Sequence, residues 1–167
     1  MIALVRVDNR LLHGQILEAW VPRLGVERVV IADDEAAASS LAQAAMVLCL
    51  PPSLLAEVSP VEKVDYGSLA AARQVTLLLF RDVSNLQRAV AAGLTPLLAR
   101  KINLGNVHYA PGRLPVTPSV FLSGEEMAAV QALAAMGFEM EARAVPSDAP
   151  VGARQLALKY SAAAEKR

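Results

Sequence analysis

The chain has 167 residues, a length typical of one domain, and its 16 Lys and Arg residues balance 16 Asp and Glu residues, so that the formal net charge is zero. A folded chain of this length buries about 70% of the surface that its unfolded form exposes, which provides a core without disulfides or a structural metal. The zero net charge argues against a protein that mainly binds nucleic acid, because such binding needs a surplus or a stripe of cations. The single cysteine, Cys49, excludes an internal disulfide and a Cys-based zinc cluster and fits a reducing compartment.

Hydrophobic residues make up 54% of the chain, largely as alanine. The charge-free stretch 36–56 is nominally long enough to span a bilayer, but it contains Pro51, Pro52 and several polar side chains. The N-terminal segment carries charges too early, and its apolar run is too short, for a secretory signal. We therefore expect no membrane span and a cytoplasmic location.

Short β-branched runs alternate with alanine-rich segments of helical period along the chain. The predicted strands cover residues 2–7, 26–32, 54–58, 74–80, 99–104, 120–122 and 138–145. The predicted helices cover residues 14–24, 36–50, about 60–72, a segment capped by Ser84 and closed by Gly93, a segment capped by Ser123, and about 151–164.

Three local signals refine these elements. Pro22 and Gly25 are predicted to end the first helix. Ser123 and Glu126 have the spacing of a capping box, and Met127 belongs to the apolar stripe of the helix that they start. Residues 138–145 alternate between apolar and charged side chains, which is typical of a strand at the edge of a sheet.

The alternation predicts an α/β fold, an open, doubly wound and mostly parallel sheet with helices on both faces and room for one antiparallel edge strand. Residues 1–167 are predicted to form one domain. Ligands of such folds bind beyond the carboxyl ends of the strands, which directs attention to the loops that follow them. Those loops are predicted at residues 8–13, 33–35, 81–83 and 105–118, and the last is long enough for a functional loop to be expected.

Residues 6–15, RVDNRLLHGQ, concentrate more functional chemistry than any other ten residues. His13 precedes a predicted helix N-terminus, where free N–H groups and the helix dipole favour an anion, and Gly14 permits close approach of the backbone. Arg10 is a planar donor suited to phosphate oxygens, and Asp8 is placed to orient either His13 or Arg10. Together they indicate a phosphoryl-transfer site, although such residues also occur as ordinary surface hydrogen-bonding groups.

Other candidates carry less chemistry. Asp33 and Asp34 mimic an acidic metal pocket, but they follow the second strand rather than the first, and we interpret them as groups that stabilise a helix end. His108 has no neighbouring ligand residues and is interpreted as a solvated loop histidine. Because the chain has neither a Walker-type loop nor a G-x-G-x-x-G motif, no motif supports nucleotide binding. We also expect no metal and no other cofactor.

The loop at 6–15 closely resembles the active-site loop of the enzyme IIB components of the mannose/fructose/sorbose family of the bacterial sugar phosphotransferase system, R-[IV]-D-x-R-[LF]-[IL]-H-G-Q. Further stretches resemble the same family in the same order, at residues 29–35 (VVIADDE), 77–82 (LLLFRD), 102–109 (INLGNVHY) and 143–151 (RAVPSDAPV). The chain departs from the family pattern at Asn9, Pro22 and Asn106. None of these departures affects the presence of His13, which stands at the position of the family's phosphoryl acceptor.

The resemblance implies that His13 accepts a phosphoryl group on Nδ1 from a phosphorylated IIA component. His13 would then pass it to a sugar that enters through the membrane components IIC and IID. It implies catalytic roles for Asp8 and Arg10, and a phosphate-binding role for Arg10 with Gly14 and Gln15. It also implies a second loop near the site, at Gly105 and Asn106.

Leu11 and Leu12 of the loop at 6–15 allow two interpretations. If Leu11 and Leu12 are exposed beside His13, they would belong to a surface that docks the partner proteins. Otherwise they are buried under the loop, and Leu12 is the better candidate for burial.

Two other functions stay open at this point. One is a regulator of the same family whose His13 is phosphorylated without sugar transfer, and the other is a binding module for a small ligand on the same fold. The sequence does not identify the sugar. An oligomer is also an open option, because the C-terminal helix, with Leu156, Leu158 and Tyr160, could pack on its own sheet or on a neighbouring copy.

Overall fold

The computed structural model describes residues 1–48 and 50–166. Over these residues the chain forms a seven-stranded sheet and a separate two-stranded sheet. The strands are β1 Ile2–Asp8, β2 Arg28–Ala32, β3 Leu55–Ser59, β4 Thr76–Phe80, β5 Lys101–Asn106, β6 Leu114–Thr117, β7 Val120–Leu122, β8 Glu139–Ala142 and β9 Val151–Gly152. The helices are α1 Val21–Leu24, α2 Asp34–Ala38, α3 Ser40–Leu48, α4 Tyr66–Ala71, α5 Val83–Ala91, α6 Gly124–Ala135 and α7 Ala153–Ala164, with a π-helix at Ile16–Trp20 and a 3-10 turn at Val61–Lys63.

The strand order of the large sheet is β3-β2-β4-β1-β5-β8-β9. β1 lies in the middle and pairs in parallel with β4 on one side and with β5 on the other. β9 runs antiparallel to β8, with Val151 opposite Ala142. This confirms the predicted mostly parallel α/β sheet with one antiparallel edge strand.

The two faces of the sheet are covered by different parts of the chain. On one face Leu4 packs in a core with Ile16 and Trp20 of the first helix, so the connection from β1 to β2 lies there. On the other face Val5 packs in a core with Val130 of α6, so the connection from β5 to β8 lies on the opposite side. The chain therefore leaves β1 and β5 in opposite directions, which opens a crevice at the carboxyl ends of these neighbouring strands.

The predicted edge strand at 138–145 is wrong in its position. β8 is shorter than predicted and is not at the edge, because Val151 and Gly152 return as β9 and cover its outer side. The alternation of charged and apolar residues indicates that one face of the strand is exposed. It does not distinguish an edge strand from the strand next to it, because both can have an exposed face. Because Val151 and Gly152 form β9, the last helix begins at Ala153 rather than at 151.

The predicted loop at 105–118 is also wrong in its extent. Gly105 and Asn106 are the last two residues of β5, and β6 and β7 form an antiparallel ribbon within the rest of the segment. Pro115 indicated a loop, but it lies in β6. β7 lies between β6 and Val107, which bonds to the other side of β7. Among the described strands β6 pairs only with β7, so β6 keeps one free edge, where a residue without an N–H is tolerated.

The first helix begins at Gly14 and ends at Gly25, which takes the left-handed conformation with φ 63°. Pro22 was predicted to help end this helix but lies inside α1. A proline has no N–H to donate, and the π-helix over Ile16–Trp20 shifts the hydrogen-bond register directly before it, so that the ring is accommodated. The continuous helix holds Trp20 against the core with 1% of its surface exposed.

The predicted helix at 36–50 is divided. It starts earlier, at α2, because Asp33 caps it, and Ser39 is extended and separates α2 from α3. The stretch that was long enough to span a bilayer thus folds as two short helices and a strand, apart from Cys49, which lies outside the described residues. Within residues 1–48 and 50–166 there is no helix whose length and hydrophobicity would allow it to span a membrane.

The helix caps were predicted with mixed success. The capping box of Ser123 and Glu126 at α6 is confirmed. The cap of α5 is Asp82 rather than Ser84, which lies inside the helix, and Asp65 caps α4 after the 3-10 turn that interrupts the predicted helix at 60–72. Several Ser and Asp residues at neighbouring positions satisfy the same local rule, and the end of β4 determines which one is used.

Gly105 provides a test of the packing under the carboxyl end of β1. A Cβ at this position would overlap the guanidinium of Arg6, which is fully buried. We expect Gly105→Ala to lower the free energy of unfolding by about 3 kcal/mol, because an overpacked core must distort its neighbours. Urea denaturation followed by circular dichroism measures this difference.

The matched control is Gly67→Ala in α4, where the Cβ would make an ordinary contact 3.5 Å from Asp65 Oδ1. This change should be neutral or stabilising by up to about 1 kcal/mol, since alanine favours helix over glycine. A Gly105→Ala protein as stable as the wild type would contradict the packing of Arg6 against Gly105.

Candidate functional site

Asp8 is the last residue of β1, and its buried carboxylate is the point at which the candidate site converges. Its Oδ2 accepts a hydrogen bond of 2.9 Å from Nη2 of Arg6 and lies 3.1 Å from Nε2 of His13. Its Oδ1 accepts the backbone N–H of Arg10 at 3.1 Å and faces Arg10 Nε at 3.4 Å. Asp8 therefore contacts both of the residues that the sequence offered as alternatives, His13 and Arg10.

The surroundings of Asp8 determine its charge. Burial raises the pKa of this carboxyl, but the hydrogen bond from His13 and the positive charge of Arg6 together outweigh burial, so that the pKa lies below its ordinary value. The carboxylate is thus ionised at neutral pH and only accepts hydrogen bonds.

This charge determines which nitrogen of His13 carries the proton. Because the Asp8 carboxylate only accepts, Nε2 of a neutral His13 ring donates to it, and the lone pair is left on Nδ1. Among the described residues Nδ1 has no hydrogen-bond partner, and 17% of the side chain is exposed. The ring thus presents Nδ1, a nucleophilic nitrogen, at the surface, while Nε2 is bound to the buried Asp8.

A left-handed turn brings His13 into this position. Leu11 has φ 54°, and its N–H donates to the carbonyl of Asp8 at 2.9 Å. The side chains of Leu11 and Leu12 are both buried in the core that contains Ile16. The interpretation of these leucines as a docking surface is therefore wrong, because the turn directs Leu11 inwards as well as Leu12.

The burial of the Leu11 side chain offsets the strain of its left-handed backbone. That conformation costs a non-glycine residue roughly 1–2 kcal/mol. Burying a leucine side chain contributes about 1.5–3 kcal/mol, so the apolar anchor offsets the strain. The anchored turn holds His13 directly before the first helix.

The start of the first helix and Arg10 flank His13. The carbonyl of His13 accepts the N–H groups of Ile16 and Leu17, while the N–H groups of Gly14 and Gln15 belong to the first turn, whose N–H groups have no carbonyl within the helix to bind. Nη2 of Arg10 donates to Oε1 of Gln15 at 3.0 Å, and half of the Arg10 side chain is exposed. These positions are those predicted to bind phosphate.

Asn9 joins the loop after β1 to the loops after β4 and β5. Its N–H donates to the carbonyl of Asn106 at 3.0 Å, its Oδ1 accepts the N–H of His108 at 2.6 Å, and its Nδ2 donates to the carbonyl of Arg81 at 3.0 Å. Asn106 therefore takes part in this junction through its backbone carbonyl. Gly105 lies below the site, against Arg6, rather than in a surface loop. The side chain of His108 is exposed.

Sequence reasoning assigned no role to the residues that lie below the site. Arg6 is fully buried, with its guanidinium 5.0 Å from the centroid of the Trp20 ring, and its Nη1 donates to Oδ1 of Asn103, which is also buried. The signal was present in the sequence, because Arg6 is a charged residue in an otherwise apolar strand of a sheet that was predicted to have helices on both faces.

The acidic pair after β2 is used in structural contacts. Asp33 accepts the N–H of Ala36 at the start of α2, and both of its oxygens lie 2.7 Å from nitrogens of Arg81. Asp34 lies 2.7 Å from Nη2 of Arg88. In the part of the chain that the structure describes, no group of three or more His, Cys, Asp or Glu residues is arranged to hold a metal ion.

Comparison with known proteins gives matches over almost the whole chain. A family model described as the sorbose subfamily IIB component of the PTS system matches residues 2–167. The chain is 32% identical over 151 residues to the N-acetylgalactosamine-specific phosphotransferase enzyme IIB component 2 of Escherichia coli K12, covering 90% of this chain and 94% of that protein.

Longer relatives and solved structures are also similar. The mannose-specific EIIAB component of Escherichia coli K12 is 29% identical over 150 residues, which are 89% of this chain and 46% of that protein, so the chain spans about half the length of this relative. The crystal structure of the IIBSor domain of the sorbose permease from Klebsiella pneumoniae superposes with a TM-score of 0.83 at 23% identity, covering 95% of this chain and 97% of that one. This likeness confirms the fold.

Replacing Asp8 tests how far the site depends on its carboxylate. Asp8→Asn leaves the buried cation of Arg6 without a counter-charge, and we expect the free energy of unfolding at pH 7 to fall by about 3 kcal/mol. The folded pKa of Asp8 is lowered, so its contribution is fully present above the unfolded value of about 3.9 and is lost as the pH falls through the folded value. The difference between wild type and variant should therefore narrow below about pH 4.

Urea denaturation at a series of pH values between neutral and acid measures this difference. Asp65→Asn is the control, because Asp65 caps α4 at the surface and has no buried cation to neutralise. Its effect at neutral pH should be smaller. A difference between wild type and Asp8→Asn that stays constant with pH would contradict an ionised, stabilising Asp8.

Proposed function

We propose that this chain, which belongs to the sorbose subfamily of IIB components of the phosphotransferase system, carries a phosphoryl group on Nδ1 of His13. The phosphoryl group would come from a phosphorylated IIA component and pass to a sugar at the membrane components IIC and IID. The observation that supports this most directly is the contact of His13 Nε2 with the buried Asp8, which leaves Nδ1 unoccupied on the exposed side of the ring.

The first transfer moves the phosphoryl group directly from a histidine of the IIA component to His13. The lone pair of His13 Nδ1 attacks the phosphorus of the incoming phosphohistidine, the new N–P bond forms as the old one breaks, and the donor ring keeps the bonding electrons. The ring of His13 gains positive charge while its Nε2–H stays bonded to Asp8. A carboxylate at 3.1 Å stabilises that charge where it develops.

The phosphoryl oxygens require positive partners, and two are within the loop. Arg10 reaches the surface beside His13 and is held by Asp8 and Gln15, so its guanidinium is oriented before a phosphoryl group arrives. The N–H groups of Gly14 and Gln15 at the start of the first helix provide the second set of donors. Pre-oriented donors spend little free energy on reorganisation during transfer.

The second transfer reverses this chemistry. The N–P bond on His13 breaks, the ring recovers its lone pair as the Nε2–H form, and a sugar hydroxyl takes the phosphoryl group and loses its proton to a base supplied by the membrane components. The proposal places the chain in the cytoplasm, where it would meet both the IIA component and those membrane components. Both encounters are transient, so interfaces at the weak-affinity end are expected.

Phosphorylation of the purified protein tests the role of His13. Incubation with a phosphorylated IIA component should give an acid-labile, base-stable phosphoprotein, and His13→Ala should accept no phosphate because the nucleophilic nitrogen is absent. Intact-mass spectrometry at alkaline pH and radiolabel transfer both measure this. His108→Ala is the matched control, since the other histidine of the chain is exposed on a neighbouring loop, and it should be phosphorylated normally. Labelling of His13→Ala would disprove the assignment.

Arg10→Ala tests the proposed phosphate contact. We expect a folded protein whose phosphorylation is slower by about 10²-fold, the usual loss when one pre-oriented donor to a developing charge is removed. Rapid-quench measurement of transfer from phosphorylated IIA gives the rate. Arg100→Ala is the control, because Arg100 is exposed directly before β5, at the end of the strands opposite the site. This variant should react at the wild-type rate. An unchanged rate for Arg10→Ala would show that Arg10 is a surface charge only.

A further inference from the structure

We propose that Arg6 is a positioning residue for phosphoryl transfer, because it holds the Asp8 carboxylate in the orientation that receives Nε2–H of His13 and keeps Nδ1 turned outwards. This inference rests on the proposed function of His13. It adds a residue that lies beneath the site and acts on the reaction only through Asp8.

Arg6 has no access to a phosphoryl group. Its side chain is fully buried below the carboxyl end of β1, where its guanidinium occupies the space left by the missing side chain of Gly105. The distance of 2.9 Å from its Nη2 to Asp8 Oδ2 joins it to the site. Any influence of Arg6 on the transfer therefore passes through that oxygen.

The guanidinium of Arg6 is held on several sides. Nη1 donates to the side-chain oxygen of Asn103, and Nη2 donates to the carbonyl of Ala144 at 3.1 Å as well as to Asp8. The ring of Trp20 lies 5.0 Å away, and its Nε1 donates to the same carbonyl of Ala144 at 3.1 Å. A planar fork with fixed partners has one orientation, which a lysine cannot reproduce.

The fixed guanidinium determines where the shared oxygen lies. Arg6 Nη2 and His13 Nε2 both approach Oδ2 of Asp8, while Oδ1 accepts from the backbone of Arg10. The last side-chain torsion of an aspartate is soft, so without Arg6 the carboxylate would be held less firmly, by the bonds of Arg10 to Oδ1 and by His13 alone on Oδ2. With Arg6 absent, the His13 ring would lose its fixed acceptor, and the Nδ1–H form of the ring would become accessible.

Stability alone does not account for Arg6. A buried ion pair is often no better for stability than apolar residues of the same volume. Arg6 has a further cost, because its Nε is buried without a hydrogen-bond partner among the described residues, and an unsatisfied group costs about 1–3 kcal/mol. The charge of Arg6 lies where it contacts the carboxylate that binds His13.

The test compares Arg6→Gln and Arg6→Lys with Arg143→Gln. Arg143 is the matched control because its guanidinium also lies over the Trp20 ring, at 5.3 Å, but its side chain bonds to Glu141 and to the carbonyl of Pro146 rather than to Asp8. Circular dichroism first establishes that each variant is folded. Nitrogen-15 NMR of the imidazole then measures the tautomer of His13, and rapid quench measures its phosphorylation by a phosphorylated IIA component.

We expect the Nε2–H tautomer in the wild type and in Arg143→Gln, and a mixture of tautomers in both Arg6 variants. Phosphorylation of the Arg6 variants should be slower by about 10²-fold, the effect of a small misplacement of a reacting group. Arg143→Gln should react at the wild-type rate. A purely structural role for Arg6 would change the stability without changing the tautomer of a folded variant.

A folded Arg6→Gln protein with the wild-type tautomer and rate would overturn the proposal, and it would leave the phosphorylation of His13 intact. If Arg6→Gln does not fold, Arg6→Lys decides by the same two measurements. If neither folds, NMR of the wild type decides, since the proposal requires a nuclear Overhauser contact between the His13 Nε2 proton and the Arg6 Nη protons. An Nδ1–H tautomer in the wild type would contradict it.

Discussion

The buried carboxylate of Asp8 is the constraint on which the site depends. A charge removed from water at the end of a central strand must be surrounded by donors, and Arg6, His13 and the backbone of Arg10 supply them. The cation below requires space, which Gly105 leaves, and partners of its own on β5 and on the segment after β8. The ionised carboxylate of Asp8 thus explains why a cation on β1, a glycine and an asparagine on β5, and a carbonyl after β8 lie together, although they are far apart in the sequence.

The topology explains why this carboxylate lies at the candidate functional surface. β1 is in the middle of the sheet, and the connections from β1 and β5 cover opposite faces, so the loops at their carboxyl ends separate and leave a crevice. Asn9 then bonds to the loops after β4 and β5 and holds the three loops together. The proposed phosphorylation of His13 is favoured by this arrangement, because one side of the ring is fixed by the core and the other is open to a second protein.

The fold class was predictable, and the candidate loop at residues 6–15 could be selected, because both depend on local patterns. Strand and helix periodicities are read within short windows, and the anion-binding character of residues 6–15 follows from His13 and Arg10 beside a helix start. The ends of elements were less predictable where a partner strand determines them. Gly105 and Asn106 looked like loop residues, yet pairing with β1 extends β5 through both. The inward direction of Leu11 depends on a backbone torsion that its neighbours in sequence do not reveal.

The alternation of strands and helices, the histidine that precedes a helix beside an arginine and an aspartate, and the match to a family of phosphotransferase components can all be read from the amino-acid sequence. Which atoms meet became known only from the folded chain. It showed that a single oxygen of Asp8 receives both Arg6 and His13, and that Arg6 is held by the carbonyl of Ala144, 138 positions further along the chain. The physical reason is that such contacts join residues distant in sequence, and packing of the whole sheet, rather than any local pattern, brings them within hydrogen-bonding distance.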